Sequence, residues 1–375
     1  MNLLIISHTN HYISNGQIMG WGPTIREINF LARHFTSVTH IGTLNDQVEA
    51  PLSSLPYEGD NIRFVPIDPF GGESLGDKIK VLLSIKKNLP IIRHALKQAD
   101  LFQFRAPTGI GTYVIPYLLT QKKPGWIKYA GNWIQGNPPI GYSFQRWMLK
   151  HQTKFFVTIN GYWPNQPPQC LSFENPCLTE QEREDGMRCI DSKNYDSALD
   201  FCFVGRLESA KGVHRIIDAF KDWHHERIGR IHLIGDGPER KAFELMAGND
   251  TRFVFHGFVD RDKVAQILSK CHVFLFPSES EGFPKAIGEA ANYGCVVVAT
   301  DVSCISHYIA HEKCGYLMPE HEANGKQLRH SIQQVFNNPN IRSMALQAHD
   351  VARKFTYEYY LNHIQESIIK ELGFH

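Results

Sequence analysis

From Leu101 to Phe173 the chain contains no aspartate or glutamate. It also has no apolar run near the ~20 residues of a membrane span, no cysteine pair spaced CxxC and no GxGxxG after its first apolar run. Each absence excludes something. Without a dinucleotide fingerprint, the sequence does not read as a nicotinamide dehydrogenase. Without paired thiols, the eight cysteines read as buried, reduced side chains and not as a disulfide or zinc framework. The opening Met1-Asn2-Leu3-Leu4-Ile5-Ile6 lacks a basic n-region and reads as a first strand, not a signal peptide. Lys+Arg 39 against Asp+Glu 38 leaves +1, which argues against a nucleic-acid binder. A soluble, cytoplasmic protein is expected.

What is present is enough for ordinary cores. The 375 residues are 42% hydrophobic and 21% charged, too apolar for disorder. At roughly 150 residues per domain the length suggests two or three domains. The acid-free stretch carries Arg105, Lys122, Lys123, Lys128, Arg146, Lys150 and Lys154, with Trp126, Trp133, Trp147 and Trp163 among them. Two readings stay open: a plain basic surface, or a surface that receives anions and offers aromatic faces to sugar rings or a membrane interface. The stretch 77–97 alternates Lys and Arg with Ile and Leu at helical spacing. Such a helix sets one face in a core or lies on an anionic membrane.

Two strand–helix series follow one another. In the first, Leu3–Ile6 precedes a glycine-containing loop through Gly16, Gly20 and Gly22, and Pro23 opens a helix. Further strands are predicted at Val38–Ile41, Arg63–Ile67, Leu101–Phe104, Trp126–Tyr129 and Phe155–Ile159. The pattern breaks over 176–197, read as a connection. In the second series, strands at Phe201–Val204, Ile231–Ile234, Phe253–His256, Val273–Phe276, Val296–Ala299 and Gly315–Met318 alternate with helices, including one over 304–311. Short runs rich in Val, Ile and Phe suit parallel strands buried on both faces. The predicted architecture is α/β, with two Rossmann-like doubly wound domains: 1–175 with a terminal helix in 357–375, and 198–356.

Ligands of such sheets bind beyond the carboxyl ends of the strands. After the first strand of the second series stands Gly205-Arg206-Leu207-Glu208-Ser209-Ala210-Lys211-Gly212. A forked guanidinium and a point-charge ammonium at a helix start suit a diphosphate. After the second strand stands Gly235-Asp236-Gly237-Pro238, a tight turn into a helix. After the fourth stands Ser278-Glu279-Ser280-Glu281-Gly282-Phe283-Pro284, leading to Glu289-Ala290. A helix starting near Pro284 would offer its amides to an anion. On one helix Glu281 and Glu289 would lie ~12 Å apart. That is too far for the ~5–5.5 Å carboxylate pair of a retaining glycosidase, so the two carboxylates are assigned separate binding tasks.

These motifs, with His256-Gly257-Phe258, occur in an order that resembles family-4 retaining glycosyltransferases of the GT-B fold. The likeness is specific over roughly 199–300. It implies two domains facing across a cleft, a nucleotide-diphosphate sugar held mainly by the second, and no metal or other cofactor. By this resemblance Arg206 and Lys211 hold the diphosphate and Glu289 the ribose. Glu281, with the backbone of Gly282, Phe283 and Pro284, faces the donor sugar. Gly205 and Gly235 line the donor, as do Gly20 and Gly22 of the first glycine loop, and His256, Gly257 and Phe258 lie beside the base. Asp260-Arg261-Asp262 sits where a helix N-cap belongs and is not read as a metal-binding DxD.

The first domain departs from the pattern. Relatives carry a His after the strand that here ends Lys128-Tyr129-Ala130-Gly131-Asn132-Trp133. Asn132 or Arg105 is left to take its place, with Lys128 and Trp133 on the acceptor side. Ser303-Cys304-Ile305-Ser306-His307 replaces a GlyGlyxProGlu loop. The expected reaction moves a sugar to a glycan or lipid-linked glycan. The alternatives are a GT-B sugar-nucleotide epimerase or phosphorylase, and a non-catalytic nucleotide-sugar binder.

Overall fold

The structure is a computed structural model describing residues 1–68, 75–136 and 138–374, with side chains described outside 75–83. Two units emerge: Met1–Glu174 with Leu361–His375, and Asn175–Tyr360. Each is built around its own sheet.

The first unit contains β1 (Asn2–Ser14), β2 (Gln17–Trp21), β3 (Ser37–Leu44), β4 (Ser54–Pro56), β5 (Ile62–Ile67), β6 (Leu101–Ala106), β7 (Gly125–Tyr129), β8 (Phe156–Asn160) and β9 (Cys170–Phe173). The sheet runs β4-β2-β1-β6-β7-β8-β9, with β3 and β5 continuing from β1. Around it lie α1 (Gly22–Ala32), α2 (Leu75–Gln98), α3 (Gly111–Thr120) and α4 (Ile140–His151). Every residue of β6 and β7 is buried, as central parallel strands require. Proline near its start sets the first turn of α1, and Ile25, Ile28, Leu31 and Ala32 bury one face at helical spacing.

The sequence expectation fails near the amino terminus of this unit. The segment after Ile6 is not a glycine loop: β1 continues to Ser14 and turns back as β2 in an antiparallel hairpin. Gly20 lies within β2, and Gly22 opens α1 with its N–H donating to the Ser53 carbonyl (3.0 Å). Both are parts of a hairpin and its helix junction. The short strands β2, β4 and β9 carry little apolar alternation and were not anticipated.

Where β1 leaves the parallel sheet, its register shifts between Ile6 and Asn10. A buried polar chain holds this bulge. His11 Nδ1 meets the Thr43 carbonyl (3.2 Å), His11 Nε2 the Tyr57 hydroxyl (2.8 Å), and the same hydroxyl His40 Nδ1 (2.6 Å). His40 Nε2 then meets Ser7 Oγ (2.7 Å), which accepts from the Thr9 N–H (3.1 Å). The Thr43 carbonyl only accepts, so the neutral chain has one consistent proton order. His11 donates to Thr43, Tyr57 to His11, His40 to Tyr57 and Ser7 to His40. Burial drives both imidazoles toward the neutral form, His11 to about 4 and His40 well below its ordinary value, where His11 and Arg105 add to the effect.

The second unit contains β10 (Leu199–Val204), β11 (Ile228–Ile234), β12 (Phe253–Gly257), β13 (Val273–Phe276), β14 (Val296–Asp301) and β15 (Gly315–Pro319). All are parallel, in the order β12-β11-β10-β13-β14-β15. Its helices are α5 (Glu180–Ser192), α6 (Val213–Phe220), α7 (Arg240–Ala247), α8 (Arg261–Leu268), α9 (Lys285–Asn292), α10 (Gly325–Asn337), α11 (Ile341–Ala352) and α12 (Tyr357–Ile364). From Leu361 the chain is counted with the first unit.

Two expectations are corrected here. Residues 176–197 are not a bare connection, because they contain α5. Thr179 and Glu182 form a reciprocal capping box at its start, and Asn292 of α9 donates to the Glu182 carbonyl (2.8 Å). Lys193 then donates to the carbonyls of Leu268, Cys271 and Tyr293, which ties the segment to the second unit. Charged residues on the exposed face of α5 had hidden its periodicity. Over 304–311 only a 3₁₀ turn forms, at Ile305–His307. The cysteines are free, and all but the half-buried Cys189 are buried.

The histidine chain gives a pH prediction. A His11 held at about 4 when folded, against ~6.5 when unfolded, makes the unfolded state bind more protons across that window. Stability therefore rises with pH from about 4 to 6.5 and is lost as pH falls. Calorimetry should show the melting midpoint of the first unit about 4–8 °C lower at pH 5 than at pH 7. An unchanged midpoint would contradict the assignment.

Candidate active site

Strand order in the second sheet reverses at β10, which pairs with β11 on one side and β13 on the other. The crevice outside the carboxyl ends of β10 and β13 is where a doubly wound sheet takes a ligand. Three of the predicted motifs end there.

Backbone contact brings them together. Gly235 (φ +131°) follows β11, and a Cβ there would lie 1.9 Å from the Gly205 carbonyl oxygen. Gly212 (φ +74°) caps α6, and a Cβ there would lie 2.0 Å from the Pro277 carbonyl oxygen. Both positions combine a left-handed backbone with a close approach that only glycine permits. The loop after β10 is thereby laid against the loop after β13. The Glu279 N–H donates to the Ala210 carbonyl (2.9 Å), and Arg215 reaches the Pro277 carbonyl (2.9 Å) and Glu279 (2.8 Å).

On this frame Lys211 Nζ stands 2.5 Å from Glu281 Oε1, and the Ser278 hydroxyl donates to the same oxygen (2.9 Å). The ammonium and carboxylate are largely buried. Lys211 has three N–H donors and one recorded partner among the described residues. Arg206 lies on the same loop with its side chain 69% exposed, its Nε 3.4 Å from Glu208. Beside them α9 begins at Lys285, one residue later than the predicted first turn, with Pro284 as its cap residue. The Gly282 carbonyl ahead of it accepts from Ser303 Oγ (2.9 Å) and Cys304 Sγ (3.3 Å). The segment that departs from the family pattern thus secures this loop.

Other predicted residues fall differently. The Phe283 ring packs inward, stacked on Phe355 (4.4 Å) and edge-on to Tyr308 (5.0 Å), so it anchors the loop. Glu289 is ion-paired to Arg261, whose guanidinium also reaches Glu182 and the Cys177 carbonyl. Burial disfavours the charged guanidinium, but Glu289 and Glu182 outweigh it and raise its pKa. Asp260 caps α8 by accepting from the Lys263 N–H (2.7 Å), as its position predicted. His256 Nε2 lies 2.9 Å from His232 Nδ1 at the end of β12, next to Gly257 and the exposed Phe258. Burial lowers both imidazoles. Sequence reasoning missed Ser278, Arg215 and His232. Ser278 and Arg215 stood inside or just beyond the quoted motifs, but His232 is mid-strand and left no signal.

In the first unit the predicted acceptor residues need correction as a surface. Arg105 Nη2 and Lys128 Nζ both contact Glu27 Oε1, at 2.8 and 2.7 Å, and all three side chains are buried. Arg105 also donates to Gln103 (2.9 Å). A carboxylate on α1 draws these cations inside because a buried charge is costly without a counter-charge. Trp133 is buried edge-on to Tyr129 (5.0 Å), and Asn132 accepts from the Ile134 N–H (3.0 Å).

Compared with known proteins, residues 191–351, within the second unit, match the family described as glycosyl transferases group 1. The whole chain has the GT-B fold. It is similar to sucrose-phosphate synthase from Thermosynechococcus elongatus, with TM-score 0.74 and 16% identity over 99% of both chains. It is also similar to Anabaena HepE solved with UDP, with TM-score 0.70 and 15% identity over 98% of this chain and 99% of that one. Among curated relatives, an uncharacterised glycosyltransferase of Methanocaldococcus jannaschii is 30% identical over 42% of this chain and 44% of its own. The putative colanic acid biosynthesis glycosyltransferase WcaL of Escherichia coli is 33% identical over 33% of each chain. The alignments thus span a third to under half of these relatives' lengths.

Gly235→Ala tests the frame. The added methyl meets the Gly205 carbonyl at a backbone angle alanine avoids, and a cost of about 3 kcal/mol or more is expected. Calorimetry should show a lowered melting transition for the second unit; a wild-type transition would show that the contact is not needed.

Proposed function

We propose that the chain transfers a sugar from a nucleotide-diphosphate sugar to a glycan or lipid-linked glycan, with retention at the anomeric carbon and without a metal ion. The observation that carries this reading is the Lys211–Glu281 pair beside the start of α9, at the strand-order reversal. Cleaving the anomeric C–O bond leaves negative charge on the diphosphate and positive charge on the sugar ring. In this reading Lys211 and Arg206 stabilise the diphosphate together with the first amides of α9. The Glu281 carboxylate, steadied by Ser278, accepts hydrogen bonds from the sugar. The acceptor hydroxyl enters on the leaving-group side and passes its proton to a diphosphate oxygen, so retention needs no enzymic nucleophile.

Glu289 receives the ribose hydroxyls while Arg261 keeps its carboxylate in place. His256, Gly257 and Phe258 lie at the base end of the donor. The relative named as a putative colanic acid biosynthesis glycosyltransferase and the UDP complex of a structural neighbour support the substrate class.

A thermal-shift screen with UDP, GDP, ADP and their sugars should identify one nucleotide that raises the melting midpoint by mass action. With that donor, Lys211→Ala and Arg206→Ala should each lower transfer on the order of 10²-fold with an unchanged circular dichroism spectrum. Near-normal rates in both would defeat the assignment. Donor turnover without any acceptor would favour an epimerase.

A further inference from the structure

The acid-free stretch contributes less to the surface than its composition suggests, because Arg105, Lys128, Trp126 and Trp133 are all buried. What it does place outside is concentrated on α4. This helix is anchored from within by Gln145, Met148 and Leu149. Gln145 exchanges hydrogen bonds with the backbone of Thr108 (2.8 and 3.2 Å), and Arg146 donates to the carbonyls of Trp133 (2.9 Å) and Gln135 (3.2 Å). Beside these anchors the helix exposes a stripe of large apolar side chains where a solvated helix would be polar. Ile140 is 88% exposed, Phe144 43% and Trp147 57%, at positions i, i+4 and i+7 of one stripe. The Phe144 and Trp147 rings stack at 6.0 Å, and His151 continues the row at 5.3 Å from Trp147. Lys150 and Lys154 are exposed at the same end of the helix, Lys150 with its ammonium 5.4 Å from the centre of the Trp133 ring and Lys154 donating to the Leu119 carbonyl (2.8 Å), and the sequence 101–173 holds no carboxylate.

We infer that α4 is a membrane-contact helix. It sets Ile140, Phe144 and Trp147 into the interface of an anionic bilayer, with Lys150 and Lys154 among the headgroups. The 12 residues of α4 give a stripe of about 18 Å lying in the membrane plane, with aromatic rings at the depth they prefer. Charge decides among occupants. Two lysines at the end of the stripe, in a stretch that holds no acidic residue, are complemented by an anionic lipid surface. The described part of α2 is a poorer candidate, although its sequence is also basic and amphipathic. Its Ile92, Ala95 and Leu96 are buried and its exposed positions include Lys86, Lys87, Arg93 and Lys97, so its apolar face is already used. The inference does not rest on sugar transfer, since membrane contact is read without donor or acceptor.

The test is co-sedimentation of the full chain with vesicles of phosphatidylcholine containing roughly one third phosphatidylglycerol, and with phosphatidylcholine alone. The wild type should pellet with the mixed vesicles and less with the neutral ones. The double variant Phe144→Ser, Trp147→Ser should lose partitioning by on the order of tenfold or more. Its melting midpoint should hold, since both side chains lie outside the core. The inference is overturned if the wild type stays in the supernatant with both vesicles or if the double variant pellets like the wild type. It is also overturned if sedimentation equilibrium finds a dimer that the double variant dissolves.

Discussion

The second unit depends on an approach between two loops that only the absence of a side chain allows. Gly212 lies against the Pro277 carbonyl and Gly235 against that of Gly205, so the segments after β10, β11 and β13 pack as one layer of backbone. Everything chemical in the unit is mounted on that layer. Lys211 reaches Glu281 because Gly212 brings its loop down. Ser278 reaches Glu281 because its own loop is held by Ala210 and Arg215. The ion pair is thus set by the frame, and the frame by two glycines in a left-handed backbone.

This explains why the second unit was legible. Its strands are short, apolar and buried on both faces, so the runs Phe201–Val204 and Val273–Phe276 mark themselves. Parallel topology then places each following loop at one edge of the sheet. A residue read as standing just after a strand then lies at the crevice outside the strand ends, which is where Arg206, Lys211 and Glu281 stand. The partnership between Lys211 and Glu281 was not readable, because it joins residues 70 positions apart through a contact that leaves no pattern.

The first unit resisted the same reading for opposite reasons. Composition around Lys128 and Trp133 suggested a surface, but Glu27, a hundred residues earlier, pulls Lys128 and Arg105 into the interior. A single buried carboxylate on a helix that also carries Thr24, Arg26 and Asn29 is indistinguishable in sequence from an exposed one. The glycines near the amino terminus misled similarly, since a hairpin and a loop share the same punctuation. The segment 176–197 hid α5 because charged residues outnumber apolar ones there, although Thr179 and Glu182 carry the spacing of a capping box. The apolar stripe of α4 inverts the usual rule, with large hydrophobic side chains facing outward, and periodicity alone cannot say which face is turned inward.

The chain of hydroxyls and imidazoles behind β1 has a direction. Each member gives a proton to one neighbour and takes one from the other, so none can be reversed singly. The Thr43 carbonyl therefore sets the tautomer of His11, and Tyr57, reached through a separate turn of the polypeptide, relays that order to His40 and the hydroxyl at Ser7. The bend of the first strand thus depends on a hydroxyl that lies outside it, at residue 57, passing one proton order between two imidazoles.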